Sequence, residues 1–124
     1  MLVGPLKLKI QLFCGEEPAI GPGKAMLLDA IETEGSISGA GRITGMSYRR
    51  TWLLVDSMNR CFAERLVDTS PGGGKGRGAH LTETGRAVLA AYRSLDARVA
   101  EAAKGDDLDL LLGLLRDTPL PPAS

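Results

Sequence analysis

A mainly helical fold with a small β-wing, the winged helix-turn-helix with a long C-terminal dimerisation helix, is the class this 124-residue sequence predicts. Three observations predict it. The stretch Gly35-Ser-Ile-Ser-Gly-Ala-Gly-Arg-Ile-Thr-Gly-Met-Ser-Tyr-Arg-Arg-Thr-Trp52 reads as a short helix, a glycine turn and a second helix opening on Tyr-Arg-Arg. About twenty residues later, Pro71-Gly-Gly-Gly-Lys-Gly-Arg-Gly78 reads as a basic hairpin tip between two short strands. Beyond Thr82, apolar residues recur at alternating spacings of four and three, the mark of a helical seam.

Each element has a local reason. Leu6, Leu8, Ile10 and Leu12 alternate with Lys7, Lys9 and Gln11, which predicts one half-buried strand over 6–13. Residues 15–23, with Pro18 and Pro22 between glycines, predict a loop. Leu27, Leu28 and Ile31 share a helical face over 24–34, and Gly35 supplies the left-handed stop. Ser36 or Ser38 caps a short helix to about Ile43, with Ala40 and Gly41 small at its crossing with a partner. Gly45 makes the turn, Met46 points back to the core and Ser47 caps the next helix. In that helix Trp52, Val55 and Met58 face inward, leaving Tyr48, Arg49 and either Thr51 or Leu53 on other faces. Residues 66–69 and 79–82 form the wing strands, and Thr82 caps the last long helix. The organisation expected is a domain over 1–104, a C-terminal helix over 105–117 and a disordered tail over 118–124.

Composition excludes several classes. No apolar run approaches the roughly 20 residues that span a bilayer, and the N-terminus lacks a signal-peptide pattern, so a soluble, cytoplasmic protein with no membrane partner is expected. One histidine, His80, and two scattered cysteines do not make a zinc site, and neither metal nor cofactor is expected. Cys14 and Cys61 are read as two free thiols in preference to a disulfide. The glycine loop fails as a phosphate loop, because Thr69 stands at the first glycine position and Gly76 at the hydroxyl position. No nucleophile is paired with a base, so an enzyme is not expected.

The net charge is zero, but it is segregated: between Arg42 and Arg86 eight basic residues face four acidic ones, +4, leaving −4 elsewhere. The residues expected to meet duplex DNA are Arg42 for a phosphate and Ser47, Tyr48, Arg49 and Arg50 at the start of the reading helix. Lys75 and Arg77 are expected on the wing. Arg49 or Arg50 could pair with a guanine edge. Trp52 is read as core rather than contact. Val88, Tyr92, Leu95, Val99 and Ala102 form the expected dimerisation seam, with Leu108 to Leu115 as a second amphipathic stretch.

Gly35-Ser-Ile-Ser, Gly45-Met-Ser-Tyr48, Trp52, Met58-Asn59, Leu66-Val67, the Gly-Gly-Lys-Gly wing and Leu81-Thr-Glu-Thr-Gly85 together resemble the N-terminal DNA-binding domain of the molybdate-responsive transcription regulators, the ModE family, over roughly residues 6–103. The resemblance implies a homodimer binding an inverted-repeat operator, with Ser47, Tyr48, Arg49 and Arg50 on the recognition helix and Lys75 and Arg77 on the wing. Full-length members continue into paired small β-barrels that bind molybdate, whereas this chain stops at Ser124, so molybdate through tandem β-barrel domains is not expected. Leu53 stands where a polar residue would be expected. The function expected is therefore a sequence-specific DNA-binding transcription regulator, a homodimeric repressor tied to molybdate or oxyanion metabolism. The alternative is a winged-helix protein-interaction module that does not read DNA.

Overall fold

The computed structural model describes residues 2–70 and 78–123. The chain opens on two antiparallel hairpins, β1 (Leu2–Val3) with β2 (Leu6–Lys7), and β3 (Leu12–Cys14) with β4 (Glu17–Ile20). This corrects the expectation of one strand over 6–13. Burial does alternate from Leu6 to Ile10, but residues 8–11 belong to no strand. The register then shifts between Leu12 and Phe13, leaving both side chains exposed. The loop expected over 15–23 shrinks to a turn at Gly15 and Glu16, because β4 runs through Pro18. Pro18 lies opposite Phe13 in a two-stranded pairing, where each strand has a free edge and a missing N–H is tolerated.

Three helices follow. Pro22 at the first turn pre-sets the backbone for α1 (Pro22–Glu34), which buries Leu27, Leu28 and Ile31 completely and stops at Gly35. Ser36 then caps α2 (Ile37–Thr44), accepting from the Gly39 N–H at 2.9 Å. Gly45 takes φ 73°, open to glycine at little cost, and turns the chain from α2 into α3 (Tyr48–Cys61). Ser47 caps α3 through the Arg50 N–H at 3.1 Å. Val55 and Met58 are fully buried as their spacing predicts, with Trp52 partly buried against them. Thr51 is also fully buried, not on an outer face: its hydroxyl donates to the Ser47 carbonyl at 2.8 Å, and so needs no water.

The second half wraps this helical core. β5 (Val67–Ser70) and β6 (Gly78–Leu81) pair antiparallel, with Val67, Ala79 and Leu81 turned inward. Ala79 N–H donates to the Gly35 carbonyl at 2.9 Å, which docks the hairpin on the end of α1. Asn59 fastens α3 to β5, accepting from Leu66 and Val67 N–H at 2.8 and 3.1 Å and donating to the Val67 carbonyl at 3.1 Å. Thr82 caps α4 (Glu83–Ala102) by accepting from Gly85 N–H at 2.9 Å. Only one side of α4 finds the core, through Leu89 and Tyr92. After Gly105, α5 (Asp106–Leu114) buries none of its side chains, and Leu110, Leu111 and Leu114 are exposed. The architecture is mainly helical with small antiparallel sheets. Among the described residues no helix is long and apolar enough to cross a membrane.

Candidate functional site

The tight turn at Gly45 and the Ser47 cap bring the first turn of α3 to the surface. Tyr48 is 55% exposed, and Arg49 and Arg50 are exposed beside it. Arg42, in the last turn of α2, is exposed nearby in the chain. Among the described residues Arg42, Arg49 and Arg50 enter no ion pair, so their charges stay available to an outside anion. The partial positive charge of the helix start adds to them. The sequence-predicted cluster Ser47, Tyr48, Arg49 and Arg50 is therefore brought together on one helix end. Lys75 and Arg77 lie outside the described residues.

Not every basic residue of the +4 window contributes. Arg60 is bound by Asp56 at 2.9 Å and by Glu17 at 3.0 Å, Arg65 pairs with Asp68 at 3.4 Å, and Arg86 donates to the Leu81 carbonyl at 2.9 Å. Among the described residues of the window, Arg60 and Arg65 are thus partly neutralised, while Arg42, Arg49 and Arg50 at the α2–α3 corner and Arg86 enter no ion pair.

Tyr48, Arg49, Trp52, Leu53 and Asp56 line an open concavity of about 450 Å³ on α3. Tyr48 and Trp52 are one helical turn apart, which places their rings on a shared face. Leu53, 55% exposed, supplies an apolar wall, which accounts for an apolar residue where a polar one was expected. The carboxylate of Asp56 is engaged by Arg60, so the hollow is not acidic in balance. A wider hollow of about 710 Å³ lies at the start of α4, between Glu64, Arg65, Thr82, Glu83, Thr84 and Val88. Glu64 and Glu83 make it unsuited to an anion, and Thr84 already donates to Glu64 at 2.8 Å.

One feature of this face escaped the sequence. Glu17 of β4 accepts from the Ser57 hydroxyl and from both Arg60 guanidinium nitrogens, and Lys24 donates to Ser57 at 3.0 Å. These contacts fasten the β3–β4 hairpin to the far end of α3. They join residues some forty positions apart, a relation no local pattern encodes. The Ser57 hydrogen bond and then the Arg60 guanidinium hold the Glu17 carboxyl below its ordinary value of 4.5. A lowered carboxyl stabilises the fold above its unfolded value and loses that contribution as pH falls through its folded value. Glu17→Gln is therefore expected to lower the urea midpoint at neutral pH. The gap to wild type should close as the solution is acidified below about pH 4, which a set of urea melts across pH checks.

Two residues of the expected dimerisation seam pack within their own chain. Tyr92 is buried and its hydroxyl donates to the Ile10 carbonyl at 2.9 Å, while Val88 packs on the core of its own chain. Burial, and then the nearby Asp96 charge, push the Tyr92 phenol up. Leu95, Val99 and Ala102 are the seam positions left on the surface.

No family model matches the chain. Individual proteins do. It is 36% identical over 98 residues to the molybdenum-pterin-binding protein MopA of Rhodobacter capsulatus, covering 79% of this chain and 37% of that protein. It is 39% identical over 84 residues to the molybdenum transport protein ModE of Azotobacter vinelandii, 68% of this chain and 31% of the relative. The segment is similar to ModE-family proteins over about a third of their length. A third relative, the DNA-binding transcriptional dual regulator ModE of Escherichia coli (strain K12), is 34% identical over 87 residues, 70% of this chain and 31% of that protein. The chain spans about a third of the length of these curated relatives.

These relatives overturn two expectations. A sequence-specific DNA-binding repressor does not stand as the function, because ModE-family proteins matching this segment are named for molybdenum-pterin binding and molybdenum transport. The relative named as a DNA-binding regulator is a dual regulator, not a repressor. The alternative of a protein-interaction module finds no counterpart in these names. The expectation that molybdate is not bound through tandem β-barrel domains also falls, since the matched proteins carry molybdenum in their names and the match covers only part of their length.

Proposed function

We propose that this ModE-like segment serves molybdenum handling as a binding module rather than an enzyme, with the concavity at the start of α3 as its ligand face and a molybdenum-pterin as the ligand class. The observation that carries the reading is the pairing of Tyr48 and Trp52 with the uncompensated Arg49 around one open hollow. A pterin is a flat heterocycle that stacks on aromatic rings, and its anionic substituents suit a guanidinium beside a helix start. The donors available there are cationic or N–H groups, which fit an oxyanion or phosphate. The name of the MopA relative agrees with that chemistry.

Trp52 is the single tryptophan of the chain, so its fluorescence reports the hollow directly. Titration with a molybdenum-pterin is expected to quench it to saturation, and Arg49→Ala is expected to weaken binding about tenfold or more, the scale of one charge-assisted hydrogen bond. Quenching that never saturates, or an unchanged affinity in Arg49→Ala, would refute the assignment.

A second reading, duplex DNA as a partner of the same corner, is favoured by Arg42, Arg49 and Arg50, which are exposed and enter no ion pair among the described residues. The order α2, turn, α3, hairpin, long helix agrees with a winged helix-turn-helix, in which the exposed helix start meets the DNA. This reading concerns affinity for the duplex and does not restore the repressor role. Fluorescence anisotropy on a labelled duplex at two salt concentrations tests it, because phosphate contacts weaken steeply with salt. A second copy of the chain belongs to the same proposal, held through Leu95, Val99 and the exposed leucines of α5. Sedimentation velocity over a concentration series reads that association.

A further inference from the structure

The β3–β4 hairpin and the last turn of α3 bring together the two cysteines of the chain. In the hairpin register Cys14 lies opposite Glu17, whose carboxylate is held by Ser57 and Arg60 of α3. Cys61 is the next residue after Arg60 and closes the helix. The Glu17–Arg60 contact, with Cys14 opposite Glu17 and Cys61 next to Arg60, places the two cysteines at one junction, and both are free. Cys14 is exposed and Cys61 is half-buried.

We propose that Cys14 and Cys61 form a modification site, a dithiol that closes into an intramolecular disulfide on meeting a low-molecular-weight disulfide such as oxidised glutathione. Exposure makes Cys14 the entry point. Its thiolate attacks one sulfur of the external disulfide, that S–S bond breaks, and one glutathione leaves as a thiolate that takes up a proton. Cys14 then carries the second glutathione as a mixed disulfide. The Cys61 thiolate attacks the Cys14 sulfur, the new S–S bond forms, and the second glutathione leaves and is protonated. Two protein thiols are oxidised, one external disulfide is reduced to two thiols, and the two protein protons end on those thiols.

The two cysteines differ in a way that suits this order. Burial, then the Glu17 charge and the neighbouring Cys14, push the Cys61 thiol up, so it stays protonated and slow toward an oxidant in solution. Its attack on an adjacent mixed disulfide needs no diffusion, which offsets the small thiolate fraction. The closed bridge ties the hairpin covalently to α3 at the place where Glu17 and Arg60 already hold it.

The test uses the full chain, exposed to oxidised glutathione, quenched in acid, treated with iodoacetamide and weighed intact. The expected main product is a monomer lighter than the reduced chain by two hydrogens, carrying neither glutathione nor alkyl group, with a raised thermal midpoint. Cys61→Ser should instead retain one glutathione on Cys14, because nothing displaces it. Cys14→Ser should react many-fold more slowly than wild type. Persistent glutathione adducts on the wild-type chain, or a disulfide joining two chains, would overturn the proposal. So would equal rates for Cys14→Ser and wild type.

Discussion

Gly85→Ala is expected to cost at least about 3 kcal/mol and to leave much of the chain unfolded near 37 °C. At this position an added Cβ would sit 2.1 Å from the Leu66 carbonyl oxygen and 3.0 Å from its carbon. The obstacle is backbone, so no side-chain rotation relieves it. The same Leu66 oxygen accepts from Thr82 N–H at 2.9 Å, so pushing α4 away from β5 also breaks the bond that sets the start of α4. Urea unfolding followed by circular dichroism measures the loss. A wild-type midpoint would mean that α4 begins farther from β5 than described.

Asn59→Ala ranks second, with an expected loss of about 2–4 kcal/mol. The Asn59 oxygen receives the N–H groups of Leu66 and Val67, residues that are themselves fully buried, and its amide donates to the Val67 carbonyl. Truncation removes three hydrogen bonds and strands two buried donors away from water, which is costlier than losing an exposed pair. Asn59→Asp keeps the acceptor and loses the donor, so it should lie between wild type and Asn59→Ala. Equal destabilisation of the two variants would show that packing, not the acceptor, carries the effect.

Much of the fold was legible where its cause is local. Ser36, Ser47 and Thr82 each cap a helix, and Gly35 and Gly45 each close one in the left-handed region. Such signals involve residues three or four apart, so one sequence window contains both partners. What the sequence did not reveal depends on partners far along the chain. The alternation from Leu6 to Ile10 correctly gave burial, but nothing local says that the strand breaks into two hairpins. Tyr92 matched a dimer seam equally well until Ile10, 82 residues away, proved to be the acceptor of its hydroxyl. Thr51 and Leu53 stood as alternatives for an outer face, and it is Leu53 that is exposed, because a hydroxyl satisfied by its own helix lets Thr51 be buried without leaving a trace in composition. The candidate site divided in the same way. Ser47 and the exposed Tyr48, Arg49 and Arg50 followed from the cap, whereas the concavity needed Leu53 and Asp56 placed in three dimensions. The functional role was misread because one scaffold serves proteins of different binding duties, and the site rather than the fold decides.

The hydrogen bond from Ala79 to the Gly35 carbonyl carries a consequence for the order in which the molecule assembles. Helices α1, α2 and α3 are consecutive, and α2 packs on both of its neighbours, so they can collapse while most of the chain is still a coil. The β5–β6 hairpin can form by itself, but docking it requires closing a loop of some forty residues back to Gly35. Its docking point exists only after α1 has ended and turned. The hairpin is therefore a late arrival on a nucleus already built. Mutations at its base should speed unfolding more than they slow folding.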